Sequence, residues 1–256
     1  MSVPSEVYAW LLFVLGLFIG SFLNVVAYRV PRQESIVWPG SHCPTCNHSL
    51  SPWELIPVLS WLVLRGRCRH CKVPIPGRYP LLEMTTAGLF AATVLAFPDW
   101  KLRIAYALLW TLLGAVLGTD MTSMRVPNVI SYPAALLMPI VSIVSGAETW
   151  QRALGGAAVS FTVLFAIHLI SGGNMGMGDA KLYWSIGAML GALYAMESLV
   201  FASMVGALIG GLLRITGVLK KREYIPFVPY IMVGVVIAVF FGHPLTHWYL
   251  FNVVGF

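Results

Sequence analysis

The chain has 256 residues, of which 58% are hydrophobic and only 10% are charged, and its mean hydropathy is +0.80. Soluble domains carry about 25% charged residues, so this composition excludes an ordinary soluble protein and predicts a surface that mostly faces lipid. Basic residues in cytoplasmic loops of a membrane protein explain the net charge of +6 and require no nucleic-acid partner.

The first apolar run covers residues 7–28, which is 22 residues. A bilayer core requires about 20, so this run is long enough to span it. No Lys or Arg precedes the run, and the basic region of a cleavable signal peptide is therefore missing. We expect a first transmembrane helix, residues 1–28, that is retained.

Charged residues divide the rest of the chain into further apolar blocks, and we interpret the set as about eight transmembrane helices. Some blocks hold only 15 or 16 residues, so we expect those helices to extend past a flanking charge. The segment 182–213 is interrupted only by Glu197, and we interpret it as a hairpin because one helix of that length would overshoot a bilayer about 30 Å thick. The blocks are 7–28, 84–98, 104–119, 126–147, 153–178, 182–196, 198–213 and 224–256.

The distribution of basic residues predicts the orientation. With the N-terminus and C-terminus outside, 13 of the 16 Lys and Arg residues fall in cytoplasmic segments, and three lie outside. Positive charge collects on the cytoplasmic side, so this division favours that orientation. The cytoplasmic segments are 28–80, 120–125, 172–181 and 214–223.

All four cysteines lie in a cytoplasmic insertion, residues 29–80, that separates the first helix from the bundle 81–256. They form two Cys-x-x-Cys knuckles 21 residues apart, a pattern typical of four thiolates around one zinc ion in a zinc ribbon. Two disulfides are the competing interpretation, which the reducing cytoplasm disfavours. A closed four-thiolate site would make the zinc structural. The predicted ligands are Cys43, Cys46, Cys68 and Cys71, with His42, His48 and His70 as possible competitors.

Two aspartates are the candidate catalytic residues. Asp120 ends the third predicted helix and Asp179 begins the sixth, so the topology places both at the cytoplasmic edge. Two adjacent carboxyls share a proton, so one can activate water while the other polarises a peptide carbonyl. Gly176 and Gly178 precede Asp179 and would let a substrate strand approach closely. The simpler alternatives are a helix cap for Asp179 and an interfacial charge for Asp120.

These motifs together resemble the bacterial type IV prepilin peptidases, membrane aspartyl proteases of the Gly-x-Gly-Asp class. The resemblance extends over nearly the whole chain and depends on the order of several pieces. These are Gly20–Arg29, the two knuckles, Arg78–Glu83, Asp120 seven residues before Pro127, Gly176–Lys181 and Ile225–Tyr230. One departure is Val228, where family members commonly have Gly.

The resemblance implies an aspartic endopeptidase of the bacterial inner membrane that cleaves the basic leader of type IV prepilins or the pseudopilins of type II secretion. Asp120 and Asp179 match the family's catalytic pair. The cysteine insertion further implies N-methylation of the new N-terminus with S-adenosylmethionine. No glycine-rich nucleotide motif follows a predicted strand, so the sequence does not locate the methyl-donor site.

Two further residues are candidates for supporting roles. Lys181 lies two positions after Asp179 and could bias its ionisation, or it could reach the membrane interface. Glu83 could serve the site or the methyl donor, or could be a charge favoured by the helix dipole. Two other functions stay open: a peptidase without methyl transfer, and a transporter or assembly scaffold. Both acids lie at one membrane edge, which argues against a transport path.

Overall fold

The computed structural model describes residues 4–172, 175–218, 225–249 and 251–252. Within these ranges the protein is all-helical, with no β-strand, which confirms the predicted fold class. The eight α-helices are α1 Ser5–Arg29, α2 Leu59–Val63, α3 Arg78–Ala96, α4 Trp100–Ser123, α5 Asn128–Ser145, α6 Trp150–Ile170, α7 Met177–Ile215 and α8 Val228–Tyr249.

Seven of these helices, all except the short α2, are long and apolar enough to cross a membrane. The protein is therefore a multi-pass membrane protein. Two short apolar blocks do extend past flanking charges, as predicted. The block 84–98 corresponds to the 19-residue helix α3, which begins at Arg78, and the block 104–119 corresponds to the 24-residue helix α4.

The longest helix, α7, has 39 residues and folds back on itself at Gly191. Gly191 has φ 72° and ψ 172°, a conformation that is accessible to glycine and strained for other residues. The Ser198 hydroxyl donates to the Tyr183 hydroxyl oxygen at 3.3 Å, although 15 residues of straight helix would separate them by about 22 Å. The predicted hairpin is confirmed, and its break lies at Gly191 instead of Glu197.

The chain divides into two compact units, residues 1–127 and 128–256. In the first unit, α1 packs against α3 and α4, and the buried side chains include Leu109, Trp110 and Leu113 of α4. The Trp110 indole N–H donates to the Thr93 hydroxyl at 2.8 Å, which links α4 to α3 inside this core. The division expected from the sequence, into a first helix (1–28), an insertion (29–80) and a peptidase bundle (81–256), stays a prediction.

In the second unit, α7 packs against α5, α6 and α8. Its contact with α6 is tight at glycines: a Cβ added to Gly156 of α6 would collide with the Gly187 carbonyl oxygen and with the backbone of Gly191. Small residues allow membrane helices this close contact, which supplies dispersion energy that lipid cannot replace.

We therefore expect Gly156→Ala to lower the free energy of unfolding by about 1–3 kcal/mol, because the added methyl group overfills the α6–α7 contact. The measurement is the thermal unfolding midpoint in detergent. Gly155→Ala is the matched control: the neighbouring glycine is exposed and has open space around its Cβ position. Equal midpoints for the two variants would contradict the prediction.

Candidate active site and zinc-binding module

Asp120 lies three residues before the end of α4 and is 7% exposed. The last turn of α4 is held firmly, because the Thr122 hydroxyl donates to the Ala27 carbonyl of α1 at 2.9 Å. Met124 then takes the left-handed conformation with φ 51° and donates its N–H to the Asp120 carbonyl at 2.8 Å. The carboxyl group is therefore carried by a rigid helix end.

Asp179 is the third residue of α7 and is 8% exposed. It lies in the first helical turn, where the helix dipole favours a negative charge. A Cβ added to Gly176 would lie 3.3 Å from Asp179 Oδ2, so the glycine leaves room for the carboxyl group. Gly178 is half-buried in the same turn. Asp120 and Asp179 belong to different units, and their pairing stays a prediction.

The structure gives Lys181 neighbours on α5. Its ammonium group donates to Asn128 Oδ1 at 2.7 Å and to the Tyr132 hydroxyl at 3.3 Å, and it lies 4.8 Å from the centroid of the Tyr132 ring. The side chain thus links α7 to α5 beside the first turn of α7. An effect on the ionisation of Asp179 stays a prediction.

The two cysteine knuckles have the same backbone design. In the first, the Cys43 N–H bonds to the His48 carbonyl, and the residue after the knuckle, Asn47, has φ 55°. In the second, the Cys68 N–H bonds to the Val73 carbonyl, and the residue after the knuckle, Lys72, has φ 62°. Each loop closes on itself and presents two thiol groups on one side.

The knuckles bring the four sulfur atoms within 4.8 Å of one another, and none of the cysteines forms a disulfide. The sulfur atoms of Cys43 and Cys71 are 3.8 Å apart. Tetrahedral zinc with bonds of about 2.3 Å to sulfur requires sulfur–sulfur distances of about 3.8 Å, so the cluster fits a zinc ion.

The thiol pKa values also favour a bound cation. Burial raises the pKa of the Cys43 thiol, but hydrogen bonds from the backbone N–H groups of Cys46 and Thr45 lower it more, to about 6. The pKa of the Cys71 thiol is raised to about 11. A backbone hydrogen bond from Val73 lowers this pKa, but desolvation and the neighbouring thiols raise it more. Crowded thiols cannot all ionise together unless a positive charge offsets their repulsion.

The three histidines of the insertion contact other groups. His48 and His70 stack with ring centroids 4.8 Å apart, and His42 Nδ1 lies 3.0 Å from the Gly40 carbonyl oxygen. The metal-competent cluster consists of cysteines alone among the described residues. The sequence preference for four cysteine ligands is consistent with this arrangement.

Glu83 is 7% exposed and joins α3 to the insertion. Its Oε2 accepts a hydrogen bond from the Val58 N–H at 2.7 Å, and Val58 has φ 61°, which is uncommon for a β-branched residue. Arg29, 5% exposed, fixes the other end of the insertion by donating to the Ser35 and Gly40 carbonyls at 2.9 and 3.0 Å. The insertion is therefore anchored by two charged side chains.

Sequence reasoning missed Arg29 and Glu54 as functional candidates. Glu54 forms a capping box with Ser51, whose backbone N–H and hydroxyl both donate to Glu54 Oε2. The pattern Ser-Pro-Trp-Glu could have indicated that box. Arg29 ends the Gly20–Arg29 motif, but its hydrogen-bond partners depend on how the insertion folds.

The family comparison adds direct evidence about identity. Residues 14–97 match the model of the bacterial peptidase A24 N-terminal domain, and residues 106–211 match the model of the type IV leader peptidase family. A prepilin leader peptidase/N-methyltransferase of Bacillus subtilis (strain 168) is 36% identical over 96% of this chain and 99% of its own length. The chain belongs to the type IV leader peptidase family.

Other relatives in the type IV leader peptidase family carry the same name. The protein from Aeromonas hydrophila is 35% identical over 96% of this chain and 94% of its own length, and that of Burkholderia pseudomallei (strain 1026b) is 32% identical over 95% and 88%. No solved structure gives a significant match. The family predicted from the motifs is therefore confirmed. The N-terminal model covers all four cysteines, and the peptidase model covers both aspartates.

Proposed function

We propose that this protein cleaves the leader peptide of prepilins or pseudopilins and then methylates the new N-terminal amine. The observation that carries this proposal is similarity over nearly the full chain to relatives named for both activities. The alternative of a transporter has no comparable support.

For cleavage, Asp120 and Asp179 would act as a pair that shares one proton. The ionised carboxyl takes a proton from water, whose oxygen attacks the scissile carbonyl, while the protonated carboxyl donates to the carbonyl oxygen. Collapse of the tetrahedral intermediate breaks the carbon–nitrogen bond, and the leaving amine takes up a proton. The low exposure of each aspartate supports these roles, because catalytic carboxyl groups act best in a site that excludes bulk water.

The substrate would reach the aspartates from the membrane. A prepilin has a basic leader followed by an apolar helix, so that helix can enter from the bilayer while the leader stays in the cytoplasm. The distribution of basic residues supports a cytoplasmic active site and outward termini in the bacterial inner membrane, although Lys220, Lys221 and Arg222 of that distribution lie outside the described residues.

The insertion would hold a structural zinc ion through Cys43, Cys46, Cys68 and Cys71. A closed set of four thiolates leaves no open coordination position for substrate. The ion would fix the two knuckles relative to each other, because a segment of this size has too little apolar core to fold firmly alone.

For methylation, bound S-adenosylmethionine would supply an electrophilic methyl carbon to the amine nitrogen, with loss of a neutral thioether from that carbon. The protein must bind the donor, orient the amine and accept the proton that the amine loses.

The test is mass spectrometry of a model prepilin after incubation with the wild-type protein in liposomes. We expect a product shortened by its leader, and with added S-adenosylmethionine a further gain of one methyl group on the new N-terminus. A shortened product that is never methylated would reduce the function to peptidase alone. An intact prepilin would overturn the proposal.

A further inference from the structure

A cavity of about 260 Å³ lies within the first unit, close to the small end of the range for ligand pockets, about 300–1,000 Å³. The cysteine knuckles form one wall, and the C-terminal part of α1 and the N-terminal part of α3 form another. Three aromatic side chains, Tyr28, Trp61 and Tyr79, line it. Aromatic rings provide flat surfaces on which a purine can stack.

Glu54 lines this cavity, and one of its two carboxylate oxygens is unsatisfied. Its Oε2 accepts from the Ser51 N–H at 2.9 Å and from the Ser51 hydroxyl at 2.8 Å. Its Oε1 is buried and has no hydrogen-bond partner within the described part of the chain. The two hydrogen bonds from Ser51 lower the pKa of Glu54, so the carboxylate is charged at neutral pH. Electrostatic attraction to His48 and Arg69 also lowers this pKa, but neither side chain donates a hydrogen bond to Oε1, so this buried oxygen still lacks a donor among the described residues.

Both acidic and basic residues line the cavity. Glu83 supplies a second carboxyl group, fixed by the Val58 N–H. Two arginines, Arg29 and Arg69, also line the cavity. The cavity therefore offers two carboxyl groups, two arginines and aromatic surface in one place.

We infer that this cavity binds the methyl donor S-adenosylmethionine, with the Glu54 side chain near one of its positively charged groups. The donor carries a sulfonium, an ammonium, a carboxylate and a purine, and each has a matching group in the lining. This assignment rests on the proposed methyl transfer and places the donor beside the zinc-binding knuckles.

Two other occupants fit less well. A metal ion would need more ligands than this carboxyl pair, and among the described residues only the cysteines form a cluster of three or more metal-binding groups. The amino group of the cleaved pilin would satisfy Glu54 alone and would leave the arginines and the aromatic surface unused.

The test is equilibrium binding of radiolabelled S-adenosylmethionine to the purified full-length protein in detergent, with leader cleavage and zinc content measured on the same samples. We expect Glu54→Gln to weaken binding about tenfold or more, since it removes the charge but keeps the capping box, which accepts Gln. Glu34→Gln, an exposed glutamate of the same insertion, is the matched control and should bind normally.

A second variant tests the cavity without changing charge. Ser60→Trp on α2 places a large side chain in the space and should abolish donor binding, whereas Val63→Trp on the same helix, where Val63 is 79% exposed, should not. Normal donor binding by both Glu54→Gln and Ser60→Trp, with methyl transfer intact, would overturn the assignment and leave the proposed function standing. A raised KM for pilin with unchanged donor binding would also overturn it, in favour of the pilin amino group.

A wild-type protein that neither binds the donor nor methylates would overturn the proposed methyl transfer and this assignment with it. Leader cleavage measured on the same sample would then still test the proposed peptidase activity separately.

Discussion

Asparagine in place of Asp120 or Asp179 is expected to reduce leader cleavage by about 10³-fold or more while leaving the protein folded. General acid–base groups contribute about 10²–10⁴ in rate, and asparagine has the shape of aspartate but neither gains nor loses a proton at neutral pH. Because the two carboxyls are proposed to act as a unit, the double variant should be little worse than either single variant. The measurement is the cleavage rate of a model prepilin in liposomes, with the thermal midpoint as the check on folding.

The chain offers one matched control for this experiment. Asp99 is the one remaining aspartate of the chain, and it is exposed. Its side chain caps α4 by accepting a hydrogen bond from the Lys101 N–H at 2.9 Å. Asparagine is an equally good cap, so Asp99→Asn should cleave at the wild-type rate. Normal cleavage by a folded Asp120→Asn or Asp179→Asn protein would rule out the aspartyl mechanism.

The second large effect concerns the zinc-binding module. Replacing Cys46 and Cys71 together by serine removes one ligand from each knuckle while keeping the two most buried cysteines, Cys43 and Cys68, in place. We expect zinc content to fall from about one ion per chain to nearly none, because two thiolates do not hold a structural ion. The insertion should then become sensitive to trypsin at its basic residues, which include Arg65, Arg67, Arg69 and Lys72.

Elemental analysis and limited proteolysis measure this effect, and a histidine variant provides the control. His48→Ala combined with His70→Ala removes the stacked rings beside the cluster and should leave the zinc content unchanged. Zinc lost from the histidine variant and retained by the cysteine variant would show that the ligand assignment is wrong.

Much of the fold could be predicted from the sequence because hydropathy is a local property. The lipid-facing spans follow from runs of apolar residues, and the hairpin in 182–213 follows from the thickness of the bilayer. The position of its break could not be read from charge, since Glu197 interrupts the hydropathy but Gly191 provides the backbone conformation that reverses the chain.

The candidate site was likewise only partly predictable from the sequence. The cysteine knuckles and the Gly-x-Gly-Asp motif are short patterns, and the family they indicate is the one that the comparisons confirm. The cavity has no such pattern, because it combines α1, the insertion and α3, and its key groups are brought together only by folding.

Composition and short residue spacings were enough to predict a helical membrane protein with a four-cysteine insertion and two candidate catalytic aspartates in distant parts of the chain, because they encode those features directly. The tertiary structure was needed to show that Glu83 holds the backbone of Val58 from 25 residues away and that Glu54, with one unsatisfied oxygen, lines a cavity. Contacts of that kind depend on the path of the backbone between the residues, and no local pattern specifies that path.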